Sequence, residues 1–325
     1  MTVITSENYW NVVFDELMAE CEENGKAKYL LIEKKYRQAI ERIEERIRFF
    51  YGKYATNNKV SLKNAYKRLD KEHLDTFKTL IEQYIKYWDN QKVSEKDTTD
   101  DTTESDVSSL SDTSDWVESL KLYQDKSDVT QYESLLIPII QEIEVVSNET
   151  SNELLALLVL TGWTVHHDIT KNLKIQSLAQ EQLKKELLKA WSADNMSLYE
   201  RFNVNKAKLT TSVKSSLIQS FRNEATVDET VTEISKLMNV GMMGAKRLVI
   251  TENTHFSVYS TYLALKKAGY THYQICAKID GKTCDDCIMW NGDIYPIEMY
   301  EPNVTAPPKH CFCRCTISPV EMGVK

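Results

Sequence analysis

Residues 280–287 read DGKTCDDC and residues 307–315 read PPKHCFCRC, and these two runs decide how the carboxy-terminal end is read. They hold Cys284, Cys287, Cys311, Cys313 and Cys315, five of the seven cysteines in the chain, with Cys276 a few residues upstream and Cys21 far away. A C-x2-C turn presents two thiolates from one tight loop, and zinc takes four nitrogen or sulfur ligands in a tetrahedron. The second pair has to come from His310, Cys313 and Cys315. His310 and Cys313 repeat the x2 spacing, so Cys284, Cys287, His310 and Cys313 are the preferred set. Cys315 is the first substitute, because residues 313 and 315 share a face if the segment is a strand. Three thiolates and an imidazole leave no open position, which favours a structural Zn2+ over a catalytic one.

The residues around these runs point to a small α+β module. After Gly269, placed as a left-handed helix cap, Tyr273, Ile275 and Ala277 alternate with Gln274, Cys276 and Lys278, as in a half-buried strand. Asp280-Gly281 reads as a turn, and Asn291-Gly292 is a hairpin signal leading to Asp293, Ile294 and Tyr295 as a return strand. Other uses of the thiols fit less well. No βαβ crossover follows Cys284 and Cys287, as a redox pair would require, and no orienting group can be named for a cysteine nucleophile paired with His310.

Upstream the chain reads as helix. Only 9 Gly and 6 Pro occur in 325 residues, so breakers are scarce. From Tyr29 through Ile43, Ile47 and Phe50 to Tyr54, apolar residues recur every three or four positions. Asn57 and Asn58 interrupt the pattern, Ser61 can cap a new helix, and Leu62 to Trp88 continue an apolar face. Residues 1–93 therefore form a helical hairpin, a candidate docking element because two helices alone have little to bury against. Residues 94–128, rich in Ser, Thr and acids, read as a disordered acidic tether. A central helical region, 129–200, contains Pro138, which marks a kink or boundary. Residues 201–325 complete the chain, with helices over 201–270 and the Cys/His module over 271–320. The fold class is mainly α with a small carboxy-terminal α+β module. His166-His167 followed by Asp168 lacks a metal-binding spacing, so a catalytic role there is disfavoured.

Charge excludes some functions. Lys and Arg total 40 against 48 Asp and Glu, a formal net charge of -8, and residues 94–200 alone carry 8 basic against 21 acidic groups, or -13. A protein that coats DNA needs the opposite balance. Within 201–272 the balance is +5, from 10 basic and 5 acidic groups, so a local basic face is available. No signal peptide or membrane-length apolar run is expected.

Taken together, Arg247 with Thr251-Glu252, Gly269-Tyr270 with Tyr273, Asp280 to Cys287, Asn291-Gly292-Asp293 and Pro307 to Cys315 resemble the phage head-morphogenesis family, minor head proteins similar to protein F of phage Mu. The likeness covers about residues 190–320; Tyr9-Trp10 and the helix through Phe49 to Ala55 resemble members from phages of Gram-positive hosts less specifically. Cys311 stands where the family usually has proline, Ile250 replaces an arginine, and Glu301 to Ala306 precede the proline pair where Gly and Asn commonly lead into it. The resemblance implies a non-enzymatic minor capsid protein that associates with the portal, and with major capsid and scaffolding proteins, inside the procapsid. It further implies a role in head assembly and in DNA packaging or exit, with at most weak contact to packaged DNA and none to membrane. The location implied is the virion, in the head interior near the portal, after assembly in the host cytoplasm. Some relatives append an ADP-ribosyltransferase after the module, and none is expected here. The alternatives are a zinc-containing nucleic-acid-binding module and, further off, a transferase or hydrolase.

Overall fold

The structure, a computed structural model, describes residues 6–96 and 113–320. The centre of the expected tether, residues 97–112, lies outside the described residues, as do the side chains of Tyr9, Trp10 and Cys21. Helices dominate: α1 Ser6–Tyr54, α2 Leu62–Ala65, α3 Lys71–Lys96, α4 Ser114–Asp125, α5 Gln131–Asn172, α6 Gln180–Leu187, α7 Leu198–Arg222 and α8 Val227–Lys267. They are followed by β1 His272–Cys276, α9 Asp285–Trp290, β2 Ile294–Pro296, a 3-10 turn at Ile297–Met299 and β3 Thr316–Val320. The fold is therefore mainly α with a small terminal sheet, as the sequence indicates. Among the described residues no helix is long and apolar enough to cross a membrane.

Contacts divide the chain into two units, one of residues 33–152 and 202–243, the other of residues 1–32, 153–201 and 244–325. These do not coincide with the four consecutive segments expected from composition. Composition marks where the chain turns polar, whereas α1, α5, α7 and α8 each supply residues to both units.

In the unit of residues 33–152 and 202–243, the apolar stripe of α1 is core. Ile43 and Ile47 are completely buried, so they belong to the interior and not to a docking face. Asn57 and Asn58 take positive φ of 54° and 60° and end the helical run, and Ser61 caps α2 by accepting a hydrogen bond from the Asn64 N–H. Residues 114–125, inside the segment read as tether, are helical. Here Trp116, Val117, Leu120 and Tyr123 form a stripe packed with Phe77, Ile81, Tyr84 and Trp88 of α3, and that burial offsets the ordering cost. The indole N–H groups of Trp88 and Trp116 both donate to Gln141 Oε1, at 3.0 and 2.7 Å. Pro138 lies within α5 and does not end it. Thr226 and Glu229 form a reciprocal capping box at the start of α8.

The helices expected over 201–270 are α7 and α8, and α8 runs unbroken from Val227 to Lys267. Gly241 does not interrupt it. A Cβ there would lie 2.8 Å from Leu209 Cδ2, so its small size serves the close approach of α7.

In the other unit, α8 ends where Gly269 takes φ +83° and the Tyr270 N–H bonds back to the Leu265 carbonyl at 3.1 Å, a left-handed cap. The sheet has the order β2-β1-β3, antiparallel throughout, with Tyr273 opposite Tyr295 and Pro319. Its inner face, Tyr273, Ile275 and Ile317, packs on Val258, Tyr262 and Leu265 of α8 together with Trp290 and Ile297. Asn291-Gly292 is not the tip of a two-residue hairpin. It is the exit from α9, where Gly292 at φ +94° donates its N–H to the Ile275 carbonyl and delivers the chain into β2.

Candidate metal centre

The turn after β1 is built by Asp280 and Thr283. The Lys282 N–H donates to Asp280 Oδ1 at 2.8 Å, and the Asp280 N–H donates to Thr283 Oγ1 at 2.9 Å. This turn sets Cys284 at the N-cap of α9, from which the Ile288 N–H reaches the Cys284 carbonyl at 3.1 Å. Cys287 falls on the inward side of the same helical turn, buried with Trp290.

The second run is held by α8. Thr254 Oγ1 donates to the Cys313 carbonyl at 2.6 Å, and the Phe312 N–H donates to Thr251 Oγ1 at 3.3 Å. Arg314 grips Asp280 with both guanidinium arms, each at 2.6 Å. That bidentate pair ties the two cysteine runs together across 34 residues of sequence and holds the Asp280 carboxyl well below the usual carboxylate range.

All five residues singled out from sequence converge. Cys284, Cys287 and His310 form one group and Cys287, Cys313 and Cys315 another, the potential ligand atoms of each lying within 4.8 Å of one another. Cys287 is common to both. His310 Nε2 is 3.1 Å from the Sγ of Cys284 and of Cys287, and Cys287 Sγ is 4.0 Å from Cys313 Sγ. Bond lengths of about 2.3 Å to sulfur and 2.0 Å to nitrogen place tetrahedral ligands about 3.8 Å apart for two sulfurs and about 3.6 Å for sulfur and nitrogen. The observed spacings match to about half an ångström.

The imidazole is also correctly set for metal. His310 Nδ1 lies 2.7 Å from the Cys311 carbonyl, which only accepts, so Nδ1 carries the proton and Nε2 turns its lone pair toward the thiols. Metal-bound histidines are oriented in this way.

The thiols divide by environment. Hydrogen bonds from the Cys315 thiol and, against burial, from the backbone N–H groups of Cys315 and Lys309 pull Cys313 down to about 5. The Cys287 N–H lowers Cys284, while burial pushes Cys287 up to about 12. Donation to the Cys313 thiolate, followed by burial, keeps Cys315 protonated. This donor set of soft thiols and one oriented imidazole fits Zn2+. When bound, zinc would neutralise the clustered thiolates and cross-link the two runs. Cys311 is exposed, outside both groups, and Cys276 bonds across the sheet to Ser318 Oγ at 3.2 Å.

Outside the centre, His166 is a core residue. Its Nδ1 pairs with the Ser260 carbonyl at 3.2 Å and its Nε2 accepts the Leu178 N–H at 3.1 Å, so neither nitrogen is free for chemistry. A buried polar cluster was not visible from sequence. Glu252, 1% exposed, accepts from Arg201 and from the Trp191 indole, while Arg201 also reaches Asp194 at 3.0 Å. His255 lies flat on Trp191, ring centres 4.2 Å apart, and burial depresses it to about 3. Glu252 and Arg201 are 51 residues apart, and no spacing rule links them.

Comparison with curated proteins and with solved structures gives no match. Residues 211–318, which include every residue of the centre, match the family described as Phage Mu protein F like protein.

Proposed function

We propose that the chain is a minor capsid protein of a tailed phage that joins the portal inside the procapsid, assists head assembly, and accompanies packaging or exit of DNA. In this reading it binds portal, major capsid or scaffolding proteins and ends in the virion head after assembly in the host cytoplasm. One observation carries the reading. The family-matched segment contains two groups of potential metal ligands that share Cys287, one with Cys284 and an oriented imidazole from His310, the other with Cys313 and Cys315. A site with four protein ligands per zinc stiffens a small module and leaves no coordination position for substrate. We take Cys284, Cys287, His310 and Cys313 as the ligands and Cys315 as the hydrogen-bonding neighbour of the Cys313 thiolate.

The test is co-expression with the portal and major capsid proteins of the same phage, followed by purification of particles. The expected result is a fixed, small number of copies per portal ring. Particles that form at normal yield and never contain the chain refute the assembly role.

A further inference from the structure

The two donor groups of the centre hold more sulfur than one tetrahedral ion can use. In the proposed ligand set, zinc takes Cys284, Cys287 and His310 from the outer group and Cys313 from the inner one, which leaves Cys315 without a metal. Cys315 is nevertheless placed as a ligand would be. Its thiol hydrogen-bonds to both Cys313 and Cys287, and the Sγ atoms of the three residues lie within 4.8 Å of one another. Metal–sulfur bonds of about 2.3 Å arranged in a plane put three sulfurs about 4.0 Å apart. Cys287 Sγ is 4.0 Å from Cys313 Sγ.

The surroundings select the ion. Cys287, Cys313 and Cys315 are 3%, 1% and 2% exposed and form a buried cluster packed against Ala277. Among the described residues no histidine or carboxylate joins this group of three. The inner site is thus all sulfur, three-coordinate and dry. A second Zn2+ would need a fourth ligand there, and burial keeps water from supplying it. Cu+ is a soft ion selected by thiolates and is satisfied by three sulfurs. Charge is conserved as well. Cu+ bonding to Cys315 displaces the thiol proton to solvent, one positive charge for another, so the interior gains no net charge.

We propose that Cys287, Cys313 and Cys315 form a second metal site, which takes a single Cu+ and shares Cys287 and Cys313 with zinc as bridging thiolates. This inference rests on the zinc centre and goes beyond it by giving the fifth donor the role of a ligand.

The test titrates the full chain, loaded with zinc and kept free of oxygen, with Cu+ supplied as its acetonitrile complex in competition with a chromophoric chelator. Copper and zinc are counted by elemental analysis, and copper–thiolate bonding is read from its ultraviolet charge-transfer band. The unaltered chain should take up a single copper and keep its zinc. Cys315→Ser should keep zinc and bind copper more weakly by roughly a hundredfold or more. Cys284→Ser should do the reverse, losing zinc and retaining copper, because Cys284 lies outside the inner group. Cys311→Ser alters an exposed thiol outside both groups and should match the unaltered chain. Far-ultraviolet dichroism checks that each variant is folded. Copper bound equally by Cys315→Ser and the unaltered chain, or zinc released as copper enters, overturns the second site and leaves the zinc centre standing. An unaltered chain that binds copper and no zinc overturns the zinc centre and, with it, the sharing of ligands.

Discussion

Removing the thiol of Cys287 probes the centre most directly, because that thiol belongs to both donor groups. Structural zinc binds finger-type sites with apparent free energies of about 10–16 kcal/mol at pH 7. Shared over four ligands, that is roughly 2.5–4 kcal/mol each, or about two to three orders of magnitude in Kd per ligand lost. Cys287→Ser should therefore weaken zinc by a hundredfold or more in competition with a chromophoric chelator. The same loss is expected for Cys284→Ser, His310→Ala and Cys313→Ser. Cys315→Ser should differ, because it leaves Cys284, Cys287, His310 and Cys313 in place. It removes only the thiol that donates to the Cys313 thiolate, a charge-assisted bond of about 1.5–3 kcal/mol, and zinc itself replaces that bond when bound. Its Kd should stay within about tenfold of the unaltered chain. Zinc lost equally from Cys315→Ser and Cys287→Ser would refute the chosen set, and a chain that folds and binds no zinc would refute the centre.

Two further tests address the buried cluster on α8. Glu252→Gln retains an acceptor for the Trp191 indole but leaves Arg201 with Asp194 as its remaining carboxylate partner, beside the Ser192 hydroxyl. Breaking a buried pair costs about 3–5 kcal/mol, so a loss near the lower end is expected in urea denaturation, and a change under about 1 kcal/mol would show that the pair contributes little. His255 gives a pH signature. Its folded pKa is depressed to about 3 from 6.5, so the unfolded chain binds the extra proton and this contribution to stability falls as pH drops from about 6.5 toward 3. The full span is at most roughly 4–5 kcal/mol. His255→Phe should flatten that part of the stability profile relative to the unaltered chain, and profiles of equal slope would remove His255 as the cause.

Much of the fold was readable because its signals are local. The helical stripe of α1, the Asn57-Asn58 break and the cap at Gly269 each depend on residues within a turn of one another. What escaped depended on distant partners. Ile43 and Ile47 are equally apolar whether they face a partner or a core, and only the packed structure shows that they are interior. The stripe of α4 lay beside a long acidic, Ser/Thr-rich run that dominated the composition, and its burial needs Phe77 and Trp88, which are remote in sequence. One glycine of α8 provides room for Leu209, a close approach that only the packed structure shows. In the centre, x2 intervals brought Cys284, Cys287, His310 and Cys313 forward, because such spacing is a local property, and the structure gathers them with Cys315 into two groups that share Cys287. The same spacing put Cys313 ahead of Cys315, but which of the two thiols accepts a hydrogen bond and which gives one depends on the packed surroundings.

The same distinction explains why the charged residues of the two runs accompany the cysteines. Asp280 and Arg314 are not among the clustered ligands, and a count of donors would pass over both. Their bidentate bond joins the turn that positions Cys284 to the strand entry that positions Cys313 and Cys315. The carbonyl and amide around Cys313 are in turn fixed by Thr254 and Thr251 of α8. The two halves of the donor set are thus brought together by contacts that need no metal. Zinc binding to a pre-organised site spends less of its free energy on ordering the chain, and a module with a small apolar core gains stiffness from both the clamp and the ion. In the proposed assembly role, such a design would let the module hold its shape under load from its partners.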